Sequence, residues 1–346
     1  MLFRSTREVA VHLKDGDMVL LRSTVKLGTT RNLVQPILTA TGKKFQLAYC
    51  PERTVEGQAM AELRYLPQIV GADTPSCSLR AAQLFQFITP TIVRVSDFEA
   101  AEMIKLVDNT KRDVMFAYAN EIARLCDAIG ISAEEVISSG RFGYSRTDLP
   151  LPGPVGGPCL SKDPYILEQS VRSYGVIPEI TLAARRTNER QMEETADFLS
   201  SVSSTLSGFS AQPEITLLGI AFKGHPPTDD IRGTMAISLL KHLRRTFPAA
   251  SFSGWDPVVG SDAISSLGIA AKTSLVEAIS DSSIAVILTH HSEFERMPIA
   301  TLAQKMARPG IIYDFWNLFN RVGMDLPAGV RYIALGSHKK PICGKG

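Results

Sequence analysis

The chain has 346 residues, with 37 Lys and Arg against 35 Asp and Glu, a net charge of +2. That balance gives no pull toward nucleic acid or an acidic membrane surface. The 45% apolar content fits a soluble globular protein of two or three domains, no apolar run reaches transmembrane length, and the charged N-terminus lacks a secretory block.

Residues 18–25 (MVLLRSTV) read as a buried strand ending at Ser23-Thr24, and Gly28-Thr29-Thr30 opens a helix through Leu38. A second strand, 45–50, ends at Pro51-Glu52-Arg53. A third covers 68–72, a helix 78–89 and a strand 91–96. This alternation predicts a doubly wound α/β sheet. Ligands of such sheets sit beyond the carboxyl ends of the strands, where Thr24 and Glu52 fall. Ser96 with Glu99 forms a capping-box signature. Helical spacing then continues through Met103, Leu106, Val114, Ile122 and Leu125 to about 129. A helix this long is expected to join two lobes or to build a dimer seam. Residues 132–139 form a short helix and 179–206 a long one. Residues 207–213 are the clearest linker. A second α/β region follows, with strands at 215–220, 251–255, 284–289 and 311–314 and helices at 233–245 and 275–280.

The chemistry concentrates in Pro152-Gly-Pro-Val-Gly-Gly-Pro-Cys159-Leu-Ser-Lys-Asp163. A Gly/Pro-rich loop delivers Cys159 to the start of a helix-like run over 159–171. Helix N-termini present free N–H groups and partial positive charge, which favour a thiolate. Gly156 and Gly157 permit close backbone approach to a ligand. A lone cysteine is more often a buried structural one, but Lys162 and Asp163 follow within a turn and favour a nucleophile. Lys105 and Asn109 are four apart and share a helix face; alone, they would be a solvated stripe. His290-His291 at a strand end face opposite ways and read as structural. No metal-site spacing, Ser/His/Asp triad, G-x-G-x-x-G or P-loop occurs. The five cysteines (50, 77, 126, 159 and 343) are odd in number and argue against a disulfide framework and for a cytoplasmic setting.

Six segments together resemble the nucleotide-sugar 6-dehydrogenases: LLRSTVKLGTT (20–30), AYCPERTVEGQAMAELRYLPQIVG (48–71), AAEMIKLVDNTKRDVMFAYANEIARLC (100–126), GPVGGPCLSKDPYIL (153–167), GIAFKGHPPTDDIRG (219–233) and WDP (255–257). The resemblance spans nearly the whole chain and looks closest to the branch acting on UDP-N-acetylhexosamines. It implies an incomplete Rossmann-like NAD-binding domain at 1–95, whose glycine fingerprint is absent, a central helical dimerisation region at 96–206, and a Rossmann-like UDP-binding domain at 214–336. The implied reaction oxidises sugar C6 to a carboxylate with NAD, through a thiohemiacetal and a thioester on Cys159.

By the same resemblance Lys105 and Asn109 stabilise an oxyanion, and Asp163 orients water and Lys105. Glu52 is the base for thioester hydrolysis, and Thr24 holds a water or approaches the nicotinamide. Glu56, Lys162 and Arg232 match cofactor-side positions. Arg53, Thr54, Val55, Arg146, Gly156, Phe222 and Lys223 match substrate positions. The expected partners are the UDP-sugar and a second copy in a homodimer. The missing fingerprint leaves open a non-catalytic UDP-sugar-binding or oligomerising module. A cysteine hydrolase would want an activating histidine near Cys159, and the motif contains none.

Overall fold

A computed structural model describes residues 2–319, 324–338 and 342–343. The chain folds as two compact units, Met1–Lys111 with Lys162–Leu182, and Arg112–Ser161 with Ala183–Gly346. In chain order the first sheet region carries α1 (Leu2–His12), β1 (Met18–Leu21), a wide turn at Thr30–Val34 leading into α2 (Gln35–Thr39), β2 (Gln46–Tyr49), α3 (Ala59–Tyr65), β3 (Gln68–Ala72), α4 (Pro75–Phe85) and β4 (Ile92–Val95). A helical stretch follows: α5 (Phe98–Ile129), α6 (Ala133–Arg141), α7 (Gly157–Leu160), α8 (Asp163–Val171) and α9 (Glu179–Ser204).

In the first unit the strand order is β1-β2-β3-β4. β1 with β2 and β3 with β4 are parallel, whereas β2 and β3 run antiparallel. This central antiparallel pair departs from the doubly wound expectation. The register places Ala72 opposite Ala48 and Gly71 opposite Tyr49. The chain therefore turns back at the carboxyl end of β2, and α3 does not cross the sheet as a parallel connection requires. Leu38, Leu47, Tyr49, Val70 and Phe98 are fully enclosed in this core. The helix predicted at 78–89 starts earlier, because the Thr74 hydroxyl accepts from the Cys77 N–H (3.3 Å) and Pro75 needs no donor partner at the first position. At the start of α5 the side chain that caps is Asp97, not Ser96: its carboxylate accepts the Ala100 N–H at 2.8 Å.

The second unit holds β5 (Glu214–Leu218), β6 (Ser251–Trp255), β7 (Ala270–Ala271), β8 (Ile284–Ile287), β9 (Gly310–Asp314), β10 (Val330–Ala334) and β11 (Ile342–Cys343). Their order is β11-β10-β9-β8-β5-β6-β7, parallel except for β11. Strand order reverses between β5 and β8, so the crevice at their carboxyl ends is the expected ligand position of this architecture. Every residue of β8 and β9 is buried. That is the near-continuous apolar run of a strand covered on both faces.

Two further differences from the sequence reading concern elements. The run 159–171 is broken: α7 is a single turn, and α8 begins anew at Asp163, with Pro158 and Pro164 each near the start of its own segment. β10, not among the strands read from the sequence, carries the half-buried Arg331 at its second position, ahead of the buried run Tyr332-Ile333-Ala334.

Candidate active site

In the second unit the Cys159 turn is seated on the loop that follows β5. The Gly157 N–H donates to the Gly233 carbonyl at 2.8 Å. Gly157 has φ +92°, and a Cβ there would lie 2.5 Å from the Phe222 ring. A Cβ on Gly156 would meet the Gly233 carbonyl oxygen at 2.6 Å. The glycines thus bring backbone against Phe222 and the end of the 219–233 segment, which only a residue without a side chain allows. The segment is itself fixed: the Phe222 N–H donates to the Asp230 carbonyl at 3.0 Å. Asp256 of the WDP motif accepts the N–H groups of Ile220 (2.6 Å) and Ala221 (3.0 Å). Lys223 Nζ lies 5.4 Å from the centre of the Phe222 ring, and the Arg232 guanidinium is paired with Asp230 at 2.6 Å.

Cys159 is exposed, whereas Cys50, Cys77 and Cys126 are buried. Burial pushes the Cys50 thiol up to about 12 and Cys77 up to about 11. Those two are structural, and of Cys50, Cys77, Cys126 and Cys159 the accessible nucleophile candidate is Cys159. It is the third residue of a one-turn helix capped by Gly156 rather than the first residue of a long one. A Gly157→Ala variant should lose about 2 kcal/mol of stability through left-handed strain and overlap with Phe222. Urea unfolding reads this, and an unchanged midpoint would contradict the seating.

In the first unit a polar cluster gathers at the carboxyl ends of β1 and β2. Arg22 forms an ion pair with Glu52, and Glu52 Oε1 accepts the N–H groups of Arg53 (2.8 Å) and Thr54 (2.9 Å). Burial raises the Glu52 carboxyl, but the Thr54 N–H and Arg22 outweigh it and hold it below the usual range. The Arg53 side chain pairs with Asp108 of α5 at 2.9 Å. One residue on, Asn109 Nδ2 donates to the fully buried Asp163 (2.5 Å), whose other oxygen accepts from Lys162 Nζ (2.6 Å). Asp163 is therefore bonded to Asn109 and Lys162 rather than to Lys105. Lys105 is half-buried on the same helix. The Val55 N–H donates to Glu62 at 2.5 Å. Thr24 is half-buried beyond β1, and Glu56 is exposed. Arg146, in the second unit, is exposed and lies 5.6 Å over the Tyr144 ring. Of the two histidines, His291 accepts the Glu293 N–H at the start of a short helix (3.1 Å), and His290 pairs with Glu295 (2.7 Å).

Several positioning side chains carry no motif signal. In the first unit the buried Glu102 accepts the N–H groups of Gly28 (2.5 Å) and Thr30 (2.8 Å) and the Thr30 hydroxyl (2.6 Å). In the second, Arg185 and Asp113 form a fully buried ion pair at 2.7 Å. A buried arginine at helical spacing reads in sequence like any surface arginine.

Residues 1–89, 99–190 and 216–321 match, in turn, the NAD binding, central and UDP binding domains of the UDP-glucose/GDP-mannose dehydrogenase family. UDP-N-acetyl-D-mannosamine dehydrogenase of Pyrococcus horikoshii is 30% identical over 341 residues, 97% of this chain and 76% of the relative. The solved structure of the P. horikoshii UDP-D-ManNAc dehydrogenase superposes with a TM-score of 0.83 at 28% identity, over 98% of this chain and 77% of that one. The NDP-N-acetyl-D-galactosaminuronic acid dehydrogenase of Methanosarcina mazei gives 0.83 at 27% identity, over 98% and 74%.

The residues fit NAD in part. Thr24 and Glu52, three residues beyond parallel β1 and β2, suit the nicotinamide end of a dinucleotide. The Gly28 and Thr30 amides open a helical turn of the type that holds phosphate, but the Glu102 carboxylate already occupies them. Three domain matches in order, a relative aligned along nearly the whole chain, and the Cys159 turn seated beside Phe222 lead to one assignment: the chain belongs to the UDP-glucose/GDP-mannose dehydrogenase family.

Proposed function

We propose that the chain oxidises C6 of a UDP-N-acetylhexosamine to the uronic acid, with Cys159 as covalent catalyst and NAD as the oxidant. The observation that carries this reading is the exposed Cys159 on a turn docked through Gly157 onto Phe222, beside the switch point of a UDP-binding sheet. NAD, when bound, supplies hydride acceptance, twice per sugar. The Cys159 thiolate adds to the C6 aldehyde and forms a C–S bond, giving a thiohemiacetal. Loss of its C6 hydrogen as hydride leaves a thioester. Water then cleaves the C–S bond, giving the carboxylate and free Cys159. Covalent capture keeps the aldehyde on the protein between the two oxidations.

Lys105 and Asn109 donate to the C6 oxygen as it gains negative charge. Asp163 holds Asn109 in place through its hydrogen bond. Glu52 is the base for thioester hydrolysis, and its ion pair with Arg22 keeps it in the ionised form that a base requires. Thr24, Glu56, Lys162 and Arg232 serve the cofactor side. Arg53, Thr54, Val55, Gly156, Phe222, Lys223 and Arg146 serve the substrate side. A Lys105→Met variant should lower kcat by about 10²–10³-fold, the usual effect of removing one oxyanion donor. Steady-state NADH kinetics checks it, and an unchanged kcat would remove Lys105 from the mechanism.

The domain assignment is NAD-binding 1–95, central helical 96–206 and UDP-sugar-binding 214–336. A homodimer is supported by Tyr118, Leu125 and Ile129, which are exposed along one face of α5. Cys50, Cys77, Cys126 and Cys159 are free, in keeping with a cytoplasmic setting. Incubation with NAD and UDP-N-acetylmannosamine or UDP-N-acetylglucosamine tests the function: two NADH per sugar are expected. UDP-sugar binding without NADH would favour the second reading, a UDP-sugar-binding module. The Glu102 carboxylate on the Gly28 and Thr30 amides is the observation on its side.

A further inference from the structure

The loop that delivers Cys159 is held by side chains that no motif marks. On α9, Arg185 is 1% exposed and is the largest fully buried side chain of the described residues. Its Nη1 donates to the Leu160 carbonyl at 2.9 Å and to Asp113 at 2.7 Å, and its Nη2 donates to the Val155 carbonyl at 3.3 Å. Asn188 Nδ2 donates to the Asp113 carboxylate at 2.9 Å. On α5, Asn120 Nδ2 donates to the Gly153 carbonyl (3.0 Å) and Asn120 Oδ1 accepts the Gly153 N–H (2.9 Å). Asn120 is joined to Asn188 and Gln191, each at 3.0 Å. The network is continuous and buried, and it ends on four backbone groups of the loop: Gly153 N–H and the carbonyls of Gly153, Val155 and Leu160. Those groups bracket Cys159 on both sides.

We propose that Arg185 is a positioning residue for the Cys159 turn, acting with Asp113 and Asn120 to fix the backbone of residues 153–160. A buried ion pair is weak evidence for stability, because desolvation offsets its attraction. Here two of the guanidinium contacts go to loop carbonyls, which a lysine in the same place cannot reach together from its single ammonium. The network holds a Gly/Pro-rich segment that has no sheet or long helix to order it. The proposal rests on the catalytic reading of Cys159 given above.

The test uses the full chain and the Arg185→Lys variant, which keeps the charge beside Asp113. Two readouts are taken: amide hydrogen exchange of the 153–160 peptide, and kcat and KM for the UDP-sugar. Exchange in that peptide should rise about ten-fold or more, with the sheet peptides unchanged. The kcat should fall about ten-fold or more while KM stays within about two-fold. Asn120→Ala, which leaves the Arg185–Asp113 pair intact, should give the same local pattern and serves if the lysine variant fails to fold. A folded variant with wild-type exchange and kcat overturns the proposal. So does a uniform rise in exchange with kcat and KM changing together, since that marks general loosening. If the wild-type chain forms no NADH, the catalytic reading fails, and the exchange comparison still decides whether Arg185 orders the turn.

Discussion

Replacing Cys159 with alanine is expected to abolish NADH formation, with kcat lowered by about four orders of magnitude or more, as for removal of other covalent nucleophiles. Of Cys50, Cys77, Cys126 and Cys159 only the last is exposed, and the buried thiols cannot stand in for it: burial holds Cys50 up at about 12 and Cys77 at about 11. Binding of the UDP-sugar should persist, since the Phe222–Lys223 segment and its Asp256 anchor are untouched. Calorimetry of UDP-sugar binding beside the NADH assay reads both effects. A Cys159→Ala protein that still made two NADH per sugar would exclude a thioester route.

The largest stability effect is expected at Asp113. Removal of this carboxylate leaves Arg185 charged and fully enclosed, without its closer, buried partner at 2.7 Å and with only the exposed Glu189 carboxylate at 3.4 Å. Breaking one side of a buried pair costs about 3–5 kcal/mol. A domain's whole stability is about 5–15 kcal/mol, so Asp113→Ala should shift the urea midpoint severely. The Asp113→Ala/Arg185→Met double variant should recover part of the loss, because no uncompensated charge remains. Burial raises the Asp113 carboxyl, and Arg185 and Asn188 pull against it without prevailing. A loss below about 1 kcal/mol, the range of an exposed pair, would show that the site is wetter than the structure has it.

Much of the fold was legible in apolar patterning. Residues 68–72 and 251–255 were read as strands with the bounds that the structure has. The long helix and the linker after α9 fell within two residues of their observed ends. These features are local: side-chain period and turn residues act over a few positions, so a linear reading captures them. Caps were less certain. Ser132 accepts the Glu135 N–H at α6 (3.3 Å), but at α5 the adjacent Asp97 caps in place of Ser96.

Chain order and residue type by themselves determined the alternation of strands and helices, the placing of Thr24 and Glu52 at strand ends, and the choice of Cys159 within a glycine-rich turn. The tertiary structure alone decided that β3 runs against β2, that Glu52 is held by Arg22, that Asp163 goes to Asn109 and Lys162, and that Arg185 reaches Asp113 and the Leu160 carbonyl. Apart from the adjacent Lys162 and Asp163, such pairings join residues 22 to 72 positions apart. They depend on which faces meet when the elements pack, and a charged side chain has the same local signature whether its partner is water or a buried carboxylate.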